Sequence, residues 1–365
     1  MSTKRILHLS SESTWRGGEQ QMAYLIEESL ASGIEVSVAV KRNSAFQEWC
    51  AERKIPFHPM SFANGLDIST ALKIKGVAQE RKVDLIHTHS GKSQSLAYWA
   101  SQLGMPQPVV VHRRVDFPLK SKGFSLRKYT YPGVKAIICV SKTIEEMVRE
   151  KTGTDKFVST VYSGIDFSRF NSAPATGYLH REFGISPEKK LVANISALAD
   201  HKDYPTFIRA AKAFSEKSDE VHFLIVGDGE LRSELEKLVS ASGIQNHLTF
   251  MGFREDVPKI FRELTAFLIT SKTEGLGTTV IDAMHNGLPI LATRGGGIPE
   301  LVVDGETGFL CEVGDHQCLA EKLLYLIEHP DEAADFGKNA RERSLLFSKE
   351  AMAREVVKIY EKVLA

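Results

Sequence analysis

The chain has 365 residues, of which 42% are hydrophobic and 25% charged, with 46 basic and 46 acidic side chains. That length exceeds one small core and suits two domains of a globular protein. No apolar run approaches the roughly 18 residues that cross a bilayer, and MSTKRILHLSS at the N-terminus carries too short an apolar core for a secretion signal. The four cysteines, Cys50, Cys139, Cys311 and Cys318, are scattered. They give neither a disulfide framework nor zinc spacing, so a cytoplasmic protein is expected.

The zero net charge is unevenly spread. Residues 1–170 hold 24 Lys and Arg against 16 Asp and Glu, a balance of +8, leaving 46 − 24 = 22 basic and 46 − 16 = 30 acidic residues, or −8, for the remainder. A basic half beside an acidic half implies that the halves meet different partners. Nothing in this balance calls for a nucleic acid.

In chain order, RILHLS reads as a strand and EQQMAYLIEESLASG as an amphipathic helix closed by Gly33. EVSVAV, DLIHTH, PVVVH and KAIICVS follow as short apolar strands, mostly with helical segments between them. That alternation predicts a parallel sheet with crossover helices. The stretch 163–178, SGIDFSRFNSAPATGY, is rich in Gly, Ser and Pro and reads as a linker. The pattern then restarts with LVANISAL, a helix from about Tyr204, VHFLIVGDG, LTFMGF, AFLITS, PILATR and TGFLCE, and ends in two helices at about 331–346 and 349–364. The expected fold is α/β: two Rossmann-like doubly wound domains, with ligands at the carboxyl ends of the strands and a cleft between the domains.

Several motifs bear on chemistry. IVGDGELR (225–232) is a strand, a Gly-x-Gly turn and a helix, but Arg232 stands where a dinucleotide fingerprint needs its third glycine. The GKS in HTHSGKS (87–93) lacks the glycine of a P-loop, its place being taken by Ile86. His87 and His89 share one side of a strand end, but with no third ligand in view they read as polar groups at a cleft rim rather than a metal site. STWRGGEQQM (13–22) puts Gly17 and Gly18 at a helix start, where backbone can approach a ligand closely. ALADHKDYPTF (197–207) sets Lys202 on a loop after a strand, within reach of a phosphate. EGLGTTVIDAM (274–284) is a glycine turn between Glu274 and Asp282, leading into a helix whose apolar face holds Val280, Ile281 and Met284 and which Gly287 can stop. Free amides and the positive end of the helix dipole at such a turn favour an anion. RGGGIPELVVDGETGFL (294–310) offers a second amide cradle, with Pro299 at a helix start.

RGGEQQM, LIVGDGELRSELE, EGLGTTVIDAM and GGGIPELVVDGETGFL, in this order and spacing, resemble the family-4 retaining glycosyltransferases of GT-B fold. The resemblance covers nearly the whole chain. It implies a 1–170 domain facing the acceptor, a 171–345 domain holding a nucleotide-sugar donor, and a 346–365 helix returning to the first. It implies no cofactor and no metal. Glu274 would accept sugar hydroxyls and Asp282 the ribose diol; Gly275, Leu276, Gly277, Thr278 and Thr279 would present amides to the diphosphate, beside Lys202. Gly17, Gly18 and Gly227 would also border the donor.

This chain departs from the family pattern at three places. Asp282 replaces a glutamate. Ala197 replaces an arginine, leaving phosphate charge to Lys202 and Arg254. Arg114 occupies the position of an active-site histidine, and His112 or His89 is the alternative for that role, with His112 and Arg113 on the acceptor side.

The function implied is retaining sugar transfer to a glycan or lipid-linked acceptor in cell-envelope polysaccharide or glycolipid synthesis. The alternatives are a GT-B nucleotide-sugar epimerase and a non-catalytic nucleotide-sugar-binding relative. Segment 113–135 carries seven basic residues and one acid with interleaved aromatics. It suits an anionic surface on the inner face of a membrane, or else a solvated loop and helix with ordinary core contacts.

Overall fold

The computed structural model describes residues 3–119, 122–153, 156–170 and 175–365. They form two compact units. One runs to Gly164 and takes in Lys349–Ala365; the other spans Ile165–Ser348. The first break falls inside the 163–178 stretch, of which 171–174 lie outside the described residues. Ile165 pairs with Ser348, and Phe170 is buried in the second unit against Phe261 and His285.

The first unit is built on seven strands: β1 (Arg5–Ser10), β2 (Glu35–Lys41), β3 (Phe57–Met60), β4 (Leu85–Thr88), β5 (Val109–Arg113), β6 (Val134–Cys139) and β7 (Phe157–Thr160). They pair in parallel in the order β3-β2-β1-β4-β5-β6-β7. Ile6, Leu85, Val110, Ala136 and Ile138 point to one face, which the helix Gly17–Ala31 and the terminal helix Lys349–Leu364 cover through Met22, Ile26, Val356 and Tyr360. Tyr360 is fully buried, and its hydroxyl lies 2.6 Å from His87 Nδ1. Lys349 pairs with Glu28 at 3.5 Å and Lys4 with Glu361 at 3.2 Å, fixing both ends of the terminal helix.

The second unit has six parallel strands: β8 (Lys190–Ile195), β9 (Val221–Val226), β10 (Leu248–Gly252), β11 (Ala266–Ile269), β12 (Ile290–Thr293) and β13 (Gly308–Cys311), in the order β10-β9-β8-β11-β12-β13. Its core stacks Phe207, Phe214 and Phe223. The expected two-sheet α/β architecture is what the chain forms. Strands β3 and β7, absent from the sequence reading, are the outer strands of the first sheet.

The cysteine reading needs a correction. Cys311 at the end of β13 and Cys318 in the helix His316–Glu328 form a disulfide across seven residues. Spacing alone missed it because a strand-to-helix turn brings the two together. Cys50 and Cys139 are buried free thiols.

Removing the Tyr360 hydroxyl leaves His87 Nδ1 buried without its partner. Such a loss costs about 1–3 kcal/mol. Tyr360→Phe should lower the urea midpoint accordingly with an unchanged denaturant slope, measured by fluorescence.

Candidate active site

In a doubly wound sheet the connections of two adjacent strands leave in opposite directions, and the gap opens at their carboxyl ends. In the second unit this switch lies between β8 and β11. The loop after β8 carries Lys202 and the loop after β11 carries Glu274, and the two side chains meet as an ion pair, 15% and 10% exposed. Ser271 Oγ donates to the same Glu274 oxygen at 2.8 Å.

The two loops are stitched by backbone. Thr270 Oγ1 donates to the carbonyls of Lys202 and Asp203 at 3.1 and 3.0 Å, and Lys272 N–H donates to the His201 carbonyl at 2.8 Å. Asp203, in the left-handed region at φ 48°, turns the chain into the helix Tyr204–Ser215, and its carboxylate accepts from Thr206 Oγ1 at 2.7 Å.

The glycines act mainly by close approach. A Cβ on Gly227 would lie 2.0 Å from the Ser196 carbonyl oxygen, and one on Gly296 would lie 2.2 Å from the Glu274 carbonyl oxygen. Gly297 N–H donates to that same Glu274 oxygen at 2.9 Å. Gly227 therefore braces the loop toward Lys202. The Gly295–Gly297 run braces Glu274 rather than forming an open amide cradle.

The turn Gly275–Gly277 leads into the helix Thr278–His285, with Leu276 buried beneath it and Gly277 at φ 95°. Asp282 sits in the helix, buried, with Oδ1 lacking any hydrogen-bond partner. Burial pushes its pKa up to about 7, against a smaller opposing pull from Arg169. Arg254 does not serve as a free phosphate cation. Its Nε and Nη2 bond both Asp256 oxygens at 2.8 and 2.9 Å, and its terminal nitrogens also hold Glu182. Those carboxylates raise its already high pKa.

In the first unit the switch lies between β1 and β4. His8 on β1 is register partner to His87 on β4. His87 is not at a rim: it is fully buried, and burial holds its pKa well below the usual value. Arg114 Nη1 donates to His89 Nδ1 at 2.9 Å, and Arg114 Nη2 donates to His112 Nδ1 at 3.1 Å.

That arginine fixes the tautomers. Burial and the Arg114 charge keep His89 and His112 neutral. His89 must therefore carry its proton on Nε2, which donates to His8 Nδ1 at 2.8 Å. Both ring nitrogens of His89 are thus engaged, whereas His112 keeps its Nε2 side for a ligand. Burial takes His8 down to about 3 and Arg114 down to about 10.

His8, Tyr360 and Glu19, whose charge acts on Arg114, are site residues that sequence reasoning missed. His8 was readable only as the residue two past Ile6 on the same strand face. It supplies the third nitrogen absent from the sequence view, since ligand atoms of His8, His87 and His89 lie within 4.8 Å of one another. The direct His8–His89 bond and the adjacent guanidinium make this a hydrogen-bond network in which a cation would meet an existing positive charge.

A cavity of about 430 Å³ opens beside these groups, bordered by Gly18, His112, Arg113, Arg114, Phe117 and Lys128 among others. Gly17 and Gly18 have open space where a side chain would stand, as close backbone approach requires. Segment 113–135 is largely a wall of this unit. Leu119, Tyr129 and Tyr131 are buried, Phe124 stacks on Trp99, and Phe117 is exposed; Lys120 lies outside the described residues.

Comparison with known proteins identifies the family that this pair of switch points belongs to. Residues 15–169 match the family described as Glycosyltransferase Family 4, and residues 178–343 match Glycosyl transferases group 1. The chain belongs to this glycosyltransferase family. It is 29% identical over 306 residues to N-acetyl-alpha-D-glucosaminyl L-malate synthase of Bacillus anthracis, covering 82% of this chain and 80% of that one. It is 27% identical over 272 residues to the Escherichia coli UDP-Gal:alpha-D-GlcNAc-diphosphoundecaprenol alpha-1,3-galactosyltransferase, covering 71% and 70%. The Anabaena protein HepE, solved with UDP and glucose, shares the fold at a TM-score of 0.85 and 22% identity, covering 98% of this chain and all of that one. Among the described residues no helix is long and apolar enough to cross a membrane.

The Asp282 shift has a sign that can be measured. Its folded pKa, about 7, lies above the ordinary 3.8. The folded state therefore holds a proton that the unfolded state has released. The resulting stability is full below pH 4 and is lost as pH rises to about 7, a fall of up to about 4 kcal/mol. Denaturant melts across that range should show this slope, and Asp282→Asn should flatten it.

Proposed function

We propose that the protein is a retaining glycosyltransferase that moves a sugar from a nucleotide-sugar donor to a glycan or lipid-linked acceptor. The observation that carries this reading is the Lys202–Glu274 pair at the β8/β11 switch, one helix start away from the unpartnered Asp282 carboxylate. A diphosphate draws on Lys202 and on the amides of Gly275–Thr279. Glu274 accepts sugar hydroxyls, and Asp282 accepts the ribose diol. HepE with UDP and UDP-glucose, and the UDP-Gal in a relative's name, support this donor class.

In the transfer, the bond from the anomeric carbon to the phosphate oxygen breaks and its electron pair leaves with the diphosphate. The acceptor oxygen bonds to that carbon, and its proton passes to an oxygen of the leaving diphosphate. Lys202 and the fixed amides stabilise the charge growing on the diphosphate. No cofactor and no metal enters this scheme: the cation opposite the diphosphate is Lys202. Synthesis of envelope polysaccharide or glycolipid on the inner membrane face is the setting that suits such an acceptor.

A thermal-shift screen of UDP, GDP and ADP sugars tests the donor class. A ligand at 100 times its Kd adds about 2.7 kcal/mol of stability. Lys202→Ala should lower donor turnover about ten- to a hundred-fold, the worth of one charged hydrogen bond. Glu274→Gln should cut turnover more than nucleotide affinity, and Asp282→Ala should weaken the bare nucleotide. A Lys202→Ala protein with unchanged donor kinetics would remove that lysine from the site.

A further inference from the structure

Four cations of the first unit border its cavity, Arg16, Arg113, Arg114 and Lys128, and the last three are buried or half-buried. Arg113, 8% exposed, donates to the Tyr129 hydroxyl at 2.8 Å and to the Phe117 carbonyl, and its Nε is buried without a partner. Arg114 donates to the two histidine rings, and its Nε too is buried without a hydrogen-bond partner; burial lowers its pKa, and the Glu19 charge offsets this only in part. Lys128 donates to the Gly91 carbonyl at 3.1 Å, and burial with the neighbouring Arg113 charge pulls its pKa down. All three border the same cavity. Among the described residues neither Arg113, Arg114 nor Lys128 lies in an ion pair within 4 Å, while the half-buried Arg5, Arg232 and Arg254 do and Arg262 and Arg343 bond backbone carbonyls.

Neutral acceptors do not cancel charge. A cation taken from water needs an opposing charge or it costs several kcal/mol. Three such groups around one cavity make a site short of negative charge. Glu12 and Glu19 also border it, two acids against four bases. Glu19 feels the Arg114 charge, but burial outweighs that pull and raises its pKa, and the carboxylate also accepts the Arg16 N–H. The helix Gly91–Gln102 starts at the same cavity, with its first residue on the wall. Its free amides add to the positive potential.

We propose that this cavity binds an anionic group, a phosphate or carboxylate, on the acceptor. The inference deepens the proposed function and rests on its assignment of the acceptor to the first unit. Arg113 and Arg114 bring two guanidinium charges to the wall of the cavity, and Lys128 adds an ammonium point charge. Phe117 and Leu119 on the same wall contact the uncharged part of the acceptor.

The test uses the full chain with UDP in excess, so that phosphate cannot report on the donor site. One arm titrates inorganic phosphate and malonate by calorimetry. The other measures co-sedimentation with phosphatidylcholine vesicles containing phosphatidic acid. Variants are Lys128→Gln, Lys128→Arg and, as a control on the same segment, the exposed Lys122→Gln. Binding in either arm should weaken at least tenfold in Lys128→Gln and less than threefold in Lys128→Arg and Lys122→Gln. A response in the soluble arm assigns the group to a free phosphate or carboxylate, and a vesicle-only response to a lipid headgroup. No binding in either arm, or equal loss in Lys128→Gln and Lys122→Gln, overturns the proposal. Hydrolysis of the nucleotide sugar, followed in parallel, separates the two readings. A protein that hydrolyses donor yet binds no anion loses only the anionic acceptor, and one that binds the anion as described keeps it whatever the donor result.

Discussion

The constraint on which both sites depend is the reversal of strand order in a parallel sheet. Where neighbouring strands send their connections to opposite sides, no crossover helix fills the space above their carboxyl ends. The chain uses this gap twice, at β1/β4 and at β8/β11. In the second unit the gap is narrow enough for Lys202 and Glu274 to pair across it. That approach is possible because the neighbouring turns carry no Cβ at Gly227, Gly229, Gly295 and Gly296, each of which would run into backbone. A methyl group at any of these positions would have to push back the loop bearing a charged side chain. The glycines thus set the distance between the charges, not only the path of the chain.

The first unit solves a different electrostatic problem. Arg114 brings a full charge against four imidazoles, and burial already disfavours any further charge there. The result is a directed set of hydrogen bonds, from guanidinium to His89 and on to His8, in which protonating any ring would place two cations a few ångströms apart. Such a network is stiff because each tautomer dictates the next. It also explains why the terminal helix returns to this unit: Tyr360 closes the far side of the network at His87.

The sequence revealed what depends on local pattern. The inner strands are apolar on both faces, as LVANI and VHFLIV show, and glycine turns mark the ends of those that carry the sites. The edge strands β3 and β7 went unread because FHPM and FVST need satisfy only one neighbour, so Pro59 and Ser159 sit there without cost to a second ladder. Glu274, Lys202 and Asp282 could be named from their turns. Their pairing could not, since it joins loops 72 positions apart in the chain. Arg254 shows the opposite failure. A lone arginine after a strand looks like a phosphate ligand until its neighbours Asp256 and Glu182 are seen to hold it. The Cys311–Cys318 bond was missed for a similar reason, because its partners are set by a turn rather than by a repeated spacing.

The contrast between the two sites bears on how each would meet a ligand. Lys202 has a carboxylate partner in the ligand-free protein, so its charge is balanced before any diphosphate arrives. A diphosphate that took Lys202 would release Glu274 to accept neutral hydroxyls, so that one charge-assisted bond would give way to two. Among the described residues Arg113, Arg114 and Lys128, at the first unit's cavity, have no such ion pair to give up. An anion entering there would gain their full attraction without displacing a carboxylate, in a cavity walled partly by apolar side chains where the field is weakly screened. The second unit is therefore arranged for exchange, in which a ligand enters and leaves against a competing internal partner. On the proposed reading the first would be suited to capture, with specificity from positive charge that Glu12 and Glu19 offset only in part.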